Sequence, residues 1–96
     1  MSETFDKSLY FLHGTLISVI NKQTGKPHHD WRDAYTGKSG NIFICPSDET
    51  GKHNLFLYPD SEAYLRTSQG KLTINNSRLE INTQNSIYTF AIDEEV

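Results

Sequence analysis

Between Lys71 and Ile92 the chain reads KLTINNSRLEINTQNSIYTFAI, three β-prone runs separated by the dipeptides Asn75-Asn76 and Gln84-Asn85. Two-residue loops are the commonest tight connection between antiparallel strands. A loop at each dipeptide fixes a register in which Ile74 would face Ser77, Leu72 would face Leu79, Ile81 would face Tyr88 and Leu79 would face Phe90. One face of the meander then carries Leu72, Leu79, Ile81, Tyr88 and Phe90, and the other carries Lys71, Arg78, Glu80 and Thr89. Unlike charges fall opposite one another on the polar face, which favours the pairing. A one-residue slip would turn the apolar row to water, so the two turns support each other.

The upstream chain adds further strands. Leu9–Ile20 (LYFLHGTLISVI) is dense in β-branched and aromatic residues, with Gly14 expected to mark a bulge or bend. Both of its faces carry apolar residues, as a central or corner-wrapping strand would. Asn41–Cys45 is expected to be a strand stopped by Pro46, and His53–Tyr58 a strand stopped by Pro59, with Ser47–Lys52 the turn between them. Asp30 can cap a short helical turn carrying Trp31 and Tyr35, which are four residues apart and on one face of an α-turn. A second helical turn is expected from Pro59 through Ala63, Tyr64 and Leu65, with Asp60 or Ser61 as its cap. The pattern predicts a mainly β single domain over 1–96: a small antiparallel barrel or sandwich of about six strands, a C-terminal three-stranded meander (71–92) and one or two helical turns.

Only 35% of the residues are hydrophobic, so the ten Phe and Tyr side chains are expected to fill the core. A net charge of −3 provides no global attraction to phosphate or anionic lipid. The single cysteine, Cys45, excludes an intrachain disulfide framework and fits a reducing compartment. MSETFDKSLY lacks a basic region followed by an apolar core, and no apolar run approaches the roughly 20 residues of a membrane helix. A cytoplasmic location is the expectation, with no membrane partner.

The clearest cluster of chemically capable side chains is His28-His29-Asp30-Trp31. Imidazole and carboxylate are metal ligands, and His13, His53 and Cys45 can add to them through space. Adjacent residues of an extended segment point apart, however, and no HExxH, CxxC or H-x₃-H spacing is present. Gly37-Lys38-Ser39 has the ending of a phosphate-binding loop, but Arg32 stands where its first glycine belongs. Cys45 with His53 as base is the one nucleophile pair a hairpin would bring together, though Cys45 lacks the helix N-terminus that lowers a thiol pKa. Strand aromatics Tyr10, Phe43, Phe56, Tyr58 and Tyr88, with Lys22, Lys26, Arg32, Lys38 and Lys52, make the ingredients of a single-stranded nucleic-acid surface.

The segment Thr83-Gln84-Asn85-Ser86-Ile87-Tyr88-Thr89-Phe90 resembles a strand–turn–strand element of small bacterial β domains, a likeness over Leu79–Phe90, about an eighth of the chain, that implies no activity. The overall profile also resembles small phage or mobile-element accessory proteins.

With no catalytic constellation and no cofactor motif, the expected function is a binding domain that contacts a protein partner through the irregular segment 27–40. His28, His29, Trp31, Arg32 and Tyr35 are the expected contact residues, since a tryptophan and an arginine in a polar loop have the composition of a protein-contact hot spot. The alternatives are a metal- or thiol-dependent enzyme using His28, Asp30, His53 or Cys45, or a weak single-stranded nucleic-acid binder. A nucleic-acid partner is disfavoured by the charge. A homodimer through an open sheet edge is also compatible with the sequence.

Overall fold

The computed structural model describes residues 10–28, 30–47, 51–59 and 63–95. Seven strands and one 3-10 turn follow in order: β1 (Tyr10–Asn21), the turn (Trp31–Tyr35), β2 (Ser39–Pro46), β3 (His53–Tyr58), β4 (Leu65–Arg66), β5 (Gly70–Asn75), β6 (Arg78–Thr83) and β7 (Ser86–Glu95). Every pairing is antiparallel, and the order β2-β1-β7-β6-β5-β3-β4, with β2 also paired to β3, closes the sheet into a barrel of six strands plus β4. No helix among the described residues is long and apolar enough to cross a membrane.

β1 makes the closure. Its first half, Tyr10–Thr15, pairs with β2, while Leu12–Asn21 pairs with β7. The ladder runs from Pro46 to His53, from His53 to Gly70 and from Gly70 to Thr83. Thr83 Oγ1 then exchanges hydrogen bonds with the Ser86 backbone, and Ser86 pairs with Asn21, the last residue of β1. The circuit leaves β1 near its start and returns at its end, the stagger of steeply tilted barrel strands. Gly14 is where the register with β7 first shifts. A Cβ there would lie 2.4 Å from the Ala91 carbonyl oxygen, so only glycine lets the two backbones approach. A second shift between Leu16 and Ser18 sets Val19, rather than Ser18, inward after Leu16. That extra residue explains why both faces of this strand read as apolar.

The interior is aliphatic, contrary to the expectation from composition. Leu12, Leu16 and Val19 from β1 meet Ile42 and Ile44 from β2 and Leu55 and Leu57 from β3. Leu65, Leu72, Leu79 and Ile81 complete the wall, and Tyr88 and Phe90 are the aromatics buried within it among the described residues. Branched aliphatics occupy the inward positions of β2 and β3, so strand alternation sends Phe43, Phe56 and Tyr58 outward.

The C-terminal meander is present, with one correction. The second hairpin turns at Gln84-Asn85 as expected, pairing Leu79 with Phe90 and Ile81 with Tyr88. The first turns at Asn76-Ser77, so Leu72 pairs with Ile81 and Ile74 with Leu79. Asn76, the first loop residue, has a positive φ (59°), which asparagine tolerates better than most residues. Moving a loop by one residue moves the pairing by two, so the same side chains still face inward and apolar residues now pair across the strands.

A second correction concerns the helical turn expected around Ala63–Leu65. Asp60–Glu62 lie outside the described residues, and Leu65–Arg66 form β4 instead. Leu65 is fully buried opposite Leu57, and Arg66 lies opposite Phe56. One more hydrogen bond, Thr67 N–H to the Leu55 carbonyl (2.9 Å), continues this ladder before the chain bulges and rejoins β3 at Gly70. Burial of Leu65 and the free edge of β3 outweigh local helix preference. β4 and β5 thus act as one bent strand that pairs first with β3 and then with β6.

Thr67 holds the bend. It is 1% exposed, and its hydroxyl accepts from the Leu55 amide (3.1 Å) and donates to the Ser68 carbonyl (2.9 Å). Thr67→Val keeps the shape but leaves the Leu55 N–H without that acceptor, and is expected to cost about 1–3 kcal/mol. Urea denaturation checks this; an unchanged midpoint would mean that the hydroxyl is not what stabilises the bulge.

Candidate functional site

The outward side chains of β2, β3 and the Tyr64–Arg66 segment build one continuous aromatic face. Phe43 sits 5.4 Å, centroid to centroid, from Tyr58. Tyr58 stacks on Tyr64 at 5.1 Å, Tyr64 meets Phe56 at 6.1 Å, and the Arg66 guanidinium lies over the Phe56 ring at 5.8 Å. Phe43, Phe56 and Tyr58 are half-buried by one another, whereas Tyr64 keeps 50% of its surface exposed. The arrangement follows from pairing: Phe43 is opposite Phe56 across β2 and β3, and Phe56 is opposite Arg66 across β3 and β4. Aromatic pairs at these separations attract beyond their area burial, and an arginine over a ring adds a cation–π contact. Each ring of the row is held in place by its neighbours.

Segment 22–38 crosses from the far end of β1 back to β2 and borders this face. Its path is held by Asn21 N–H to the Lys26 carbonyl (2.9 Å), Gly37 N–H to the Leu16 carbonyl (2.8 Å) and Leu16 N–H to the Lys38 carbonyl (3.1 Å). Asp30 caps the 3-10 turn, its carboxylate accepting from the Arg32 amide (2.9 Å) and pairing with the Arg32 guanidinium. The turn is 3-10, with three residues per repeat, rather than the α-turn that would set residues four apart on one face.

The expected contact residues are distributed along this segment. Tyr35 packs against the core and donates its hydroxyl hydrogen to the Tyr64 carbonyl (3.1 Å), which ties the segment to the aromatic face. Arg32 turns toward the end of the barrel where β6 and β7 meet, and His28 Nε2 lies 2.8 Å from Ser86 Oγ there. His29 lies outside the described residues, as does the side chain of Trp31.

The other candidate chemistry separates across the wall. His53 is 1% exposed and faces the interior, whereas Cys45 lies on the outer surface opposite Asn54. Neighbouring residues on a strand face opposite sides, so the hairpin that joins these two strands keeps thiol and imidazole apart. Among the described residues no group of three or more His, Cys, Asp or Glu side chains converges as a metal site would require. Of the strand aromatics, Tyr88 is in the core, and the side chain of Tyr10 lies outside the described residues.

Tyr64 and Arg66 were not legible as surface residues in the sequence. The signal that marks them is a short alternation, with Tyr64, Arg66 and Ser68 exposed around buried Leu65 and Thr67. Three outward residues are too few to distinguish a strand from a helical turn without the partner strand.

These features define a closed, antiparallel six-stranded meander barrel with an external aromatic face and an irregular segment along its border. Comparison with known protein families, curated proteins and solved structures finds no significant match.

The Arg32 amide, by donating to Asp30, holds its carboxyl below the usual aspartate value, and the charges of Arg32 and His28 add to the effect. A lowered folded-state pKa means that the cap is complete above the ordinary carboxylate range and is lost as pH falls through the lowered value. The amide resonance of Arg32 is therefore expected to titrate with a midpoint below that of an unperturbed aspartate. In Asp30→Asn the same resonance should show no such step; a step surviving that change would assign the titration to another group.

Proposed function

We propose that the chain is a protein-binding domain whose contact surface comprises the aromatic face and the adjoining segment 27–40. The observation that carries this reading is the contiguous set of rings Phe43, Tyr58, Tyr64 and Phe56 closed by Arg66, on the outside of a barrel whose interior is already filled largely by aliphatic residues. Aromatics and arginine are the residue types enriched at the centre of protein interfaces, where they contribute most of the binding energy. Rings held by neighbouring rings lose little conformational freedom on binding, which favours affinity.

The same rings would suit stacked bases, but the charge of the chain argues for protein. Net charge is −3, and Arg66 is the cation that meets the rings. Single-stranded nucleic acid is held by a basic groove as well as by stacking. A partner segment with an apolar or aromatic anchor to lie on Tyr64 and an acidic residue to meet Arg66 fits this surface. Tyr35, through its bond to the Tyr64 carbonyl, carries the contact onto the 3-10 turn.

Affinity capture from the native cell, with quantitative comparison of wild type, Tyr64→Ala and Phe56→Ala, tests the reading. A partner protein retained by the wild type should be lost from both variants, each substitution weakening the interaction by about 2 kcal/mol or more. Circular dichroism of the variants verifies that the barrel is intact. Retention of the same partners by all three proteins, or capture that nuclease treatment abolishes, would overturn it.

A further inference from the structure

At the end of the barrel where β6 turns into β7, a concavity of about 390 Å³ opens between the turn, segment 22–38 and the bend before β5. Lys22, Arg32 and Lys52 line it together with Gln69, Asn82 and Gln84. We propose that this concavity is an anion site that takes a phosphoryl group.

The three cations reach it from separate parts of the chain: the end of β1, the 3-10 turn and the residue before β3. In a chain with twelve acidic and nine basic residues, three of the nine meeting in one place is not a reflection of the overall charge. No carboxylate is among the described residues of the lining; Asp30 pairs with Arg32 from outside it and offsets part of the charge that Arg32 brings. The remaining lining includes the side-chain amides of Gln69, Asn82, Gln84 and Asn85, whose N–H groups can donate to phosphoryl oxygens.

The wall is also built before any ligand arrives. Lys22 Nζ donates to Asn82 Oδ1 (2.7 Å) and to the Thr83 carbonyl (3.0 Å), which leaves one of its three hydrogens for a ligand. The Lys22 amide is bonded to the Asn85 carbonyl (3.0 Å), and Thr83 and Ser86 are locked together by the two bonds that close the β6–β7 turn. Positioned cations in a polar concavity gain charge-assisted hydrogen bonds without paying to order their side chains. Several cations around one site suit a multiply charged group better than a single carboxylate. The concavity is separate from the aromatic face but shares Arg32 with segment 27–40, so each reading is tested at residues the other does not use, Lys52 here and Tyr64 and Phe56 there.

Titration of the ¹⁵N-labelled chain with pyrophosphate at low ionic strength tests the proposal. Saturable shifts are expected at the amides of Gln69 and Asn82–Ser86, with affinity about tenfold weaker in Lys52→Gln and falling further with added salt. Lys22→Gln should weaken binding too, but it also removes two bonds to β6, so Lys52→Gln is the variant that isolates charge. Absence of saturable shifts in the wild type, or equal affinity in wild type and Lys52→Gln, overturns the site. A short thymidine oligonucleotide separates the two sources of phosphate. Tighter binding than pyrophosphate, still dependent on Lys52, assigns the site to a nucleic-acid backbone; binding no tighter assigns it to a small phosphate ester.

Discussion

The β1–β7 ladder is the interaction on which the remaining structure depends. It joins the first described strand to the last, and without it the other pairings would leave an open sheet with two free edges. One strand can bond on both sides only if it curves, and β1 curves at its two register shifts. Gly14 allows the nearer of these by letting the Ala91 carbonyl approach where a side chain would collide. A ladder between strands so far apart in sequence carries a large loop-closure cost.

Closure determines what the interior can hold. Six steeply tilted strands leave room for a single layer of inward side chains, and Leu, Ile and Val supply most of it. The aromatics of β2 and β3 are therefore external, and the bent strand formed by β4 and β5 brings Tyr64 and Arg66 beside them. A composition that looked just sufficient for a core turns out to leave a surplus, and the surplus is one organised surface. The irregular segment 22–38 is fastened to β1 along its path, so it extends that surface as a fixed border.

Much of the architecture was legible because strands and turns are local. Gly14 marked a bulge, Asp30 capped its turn, and Pro59 ended β3 after Tyr58. The first hairpin was misread by one residue because Asn75 and Asn76 are chemically identical, and only pairing across the strands selects which takes the positive φ. β4 was read as helix because two residues carry no periodicity; its state comes from Leu65 filling the space beside Leu57. Of the candidate site, Phe43, Phe56 and Tyr58 were visible as strand aromatics, but Tyr64 and Arg66 were not visible as their neighbours. The place of Arg32 beside Lys22 and Lys52 in one concavity was not legible, because the three lie far apart in the chain.

What the sequence by itself determined is most of the strands and the inward face of the Lys71–Ile92 meander, because alternation and turn chemistry act between near neighbours. Tertiary structure alone decided that the sheet closes, that aliphatics rather than aromatics fill it, and which side chains meet on its outside. Those outcomes depend on pairings between residues far apart in the chain. The inward sets of Leu, Ile and Val compete for one small volume, and the side chains on the alternate positions take whatever neighbours the barrel provides.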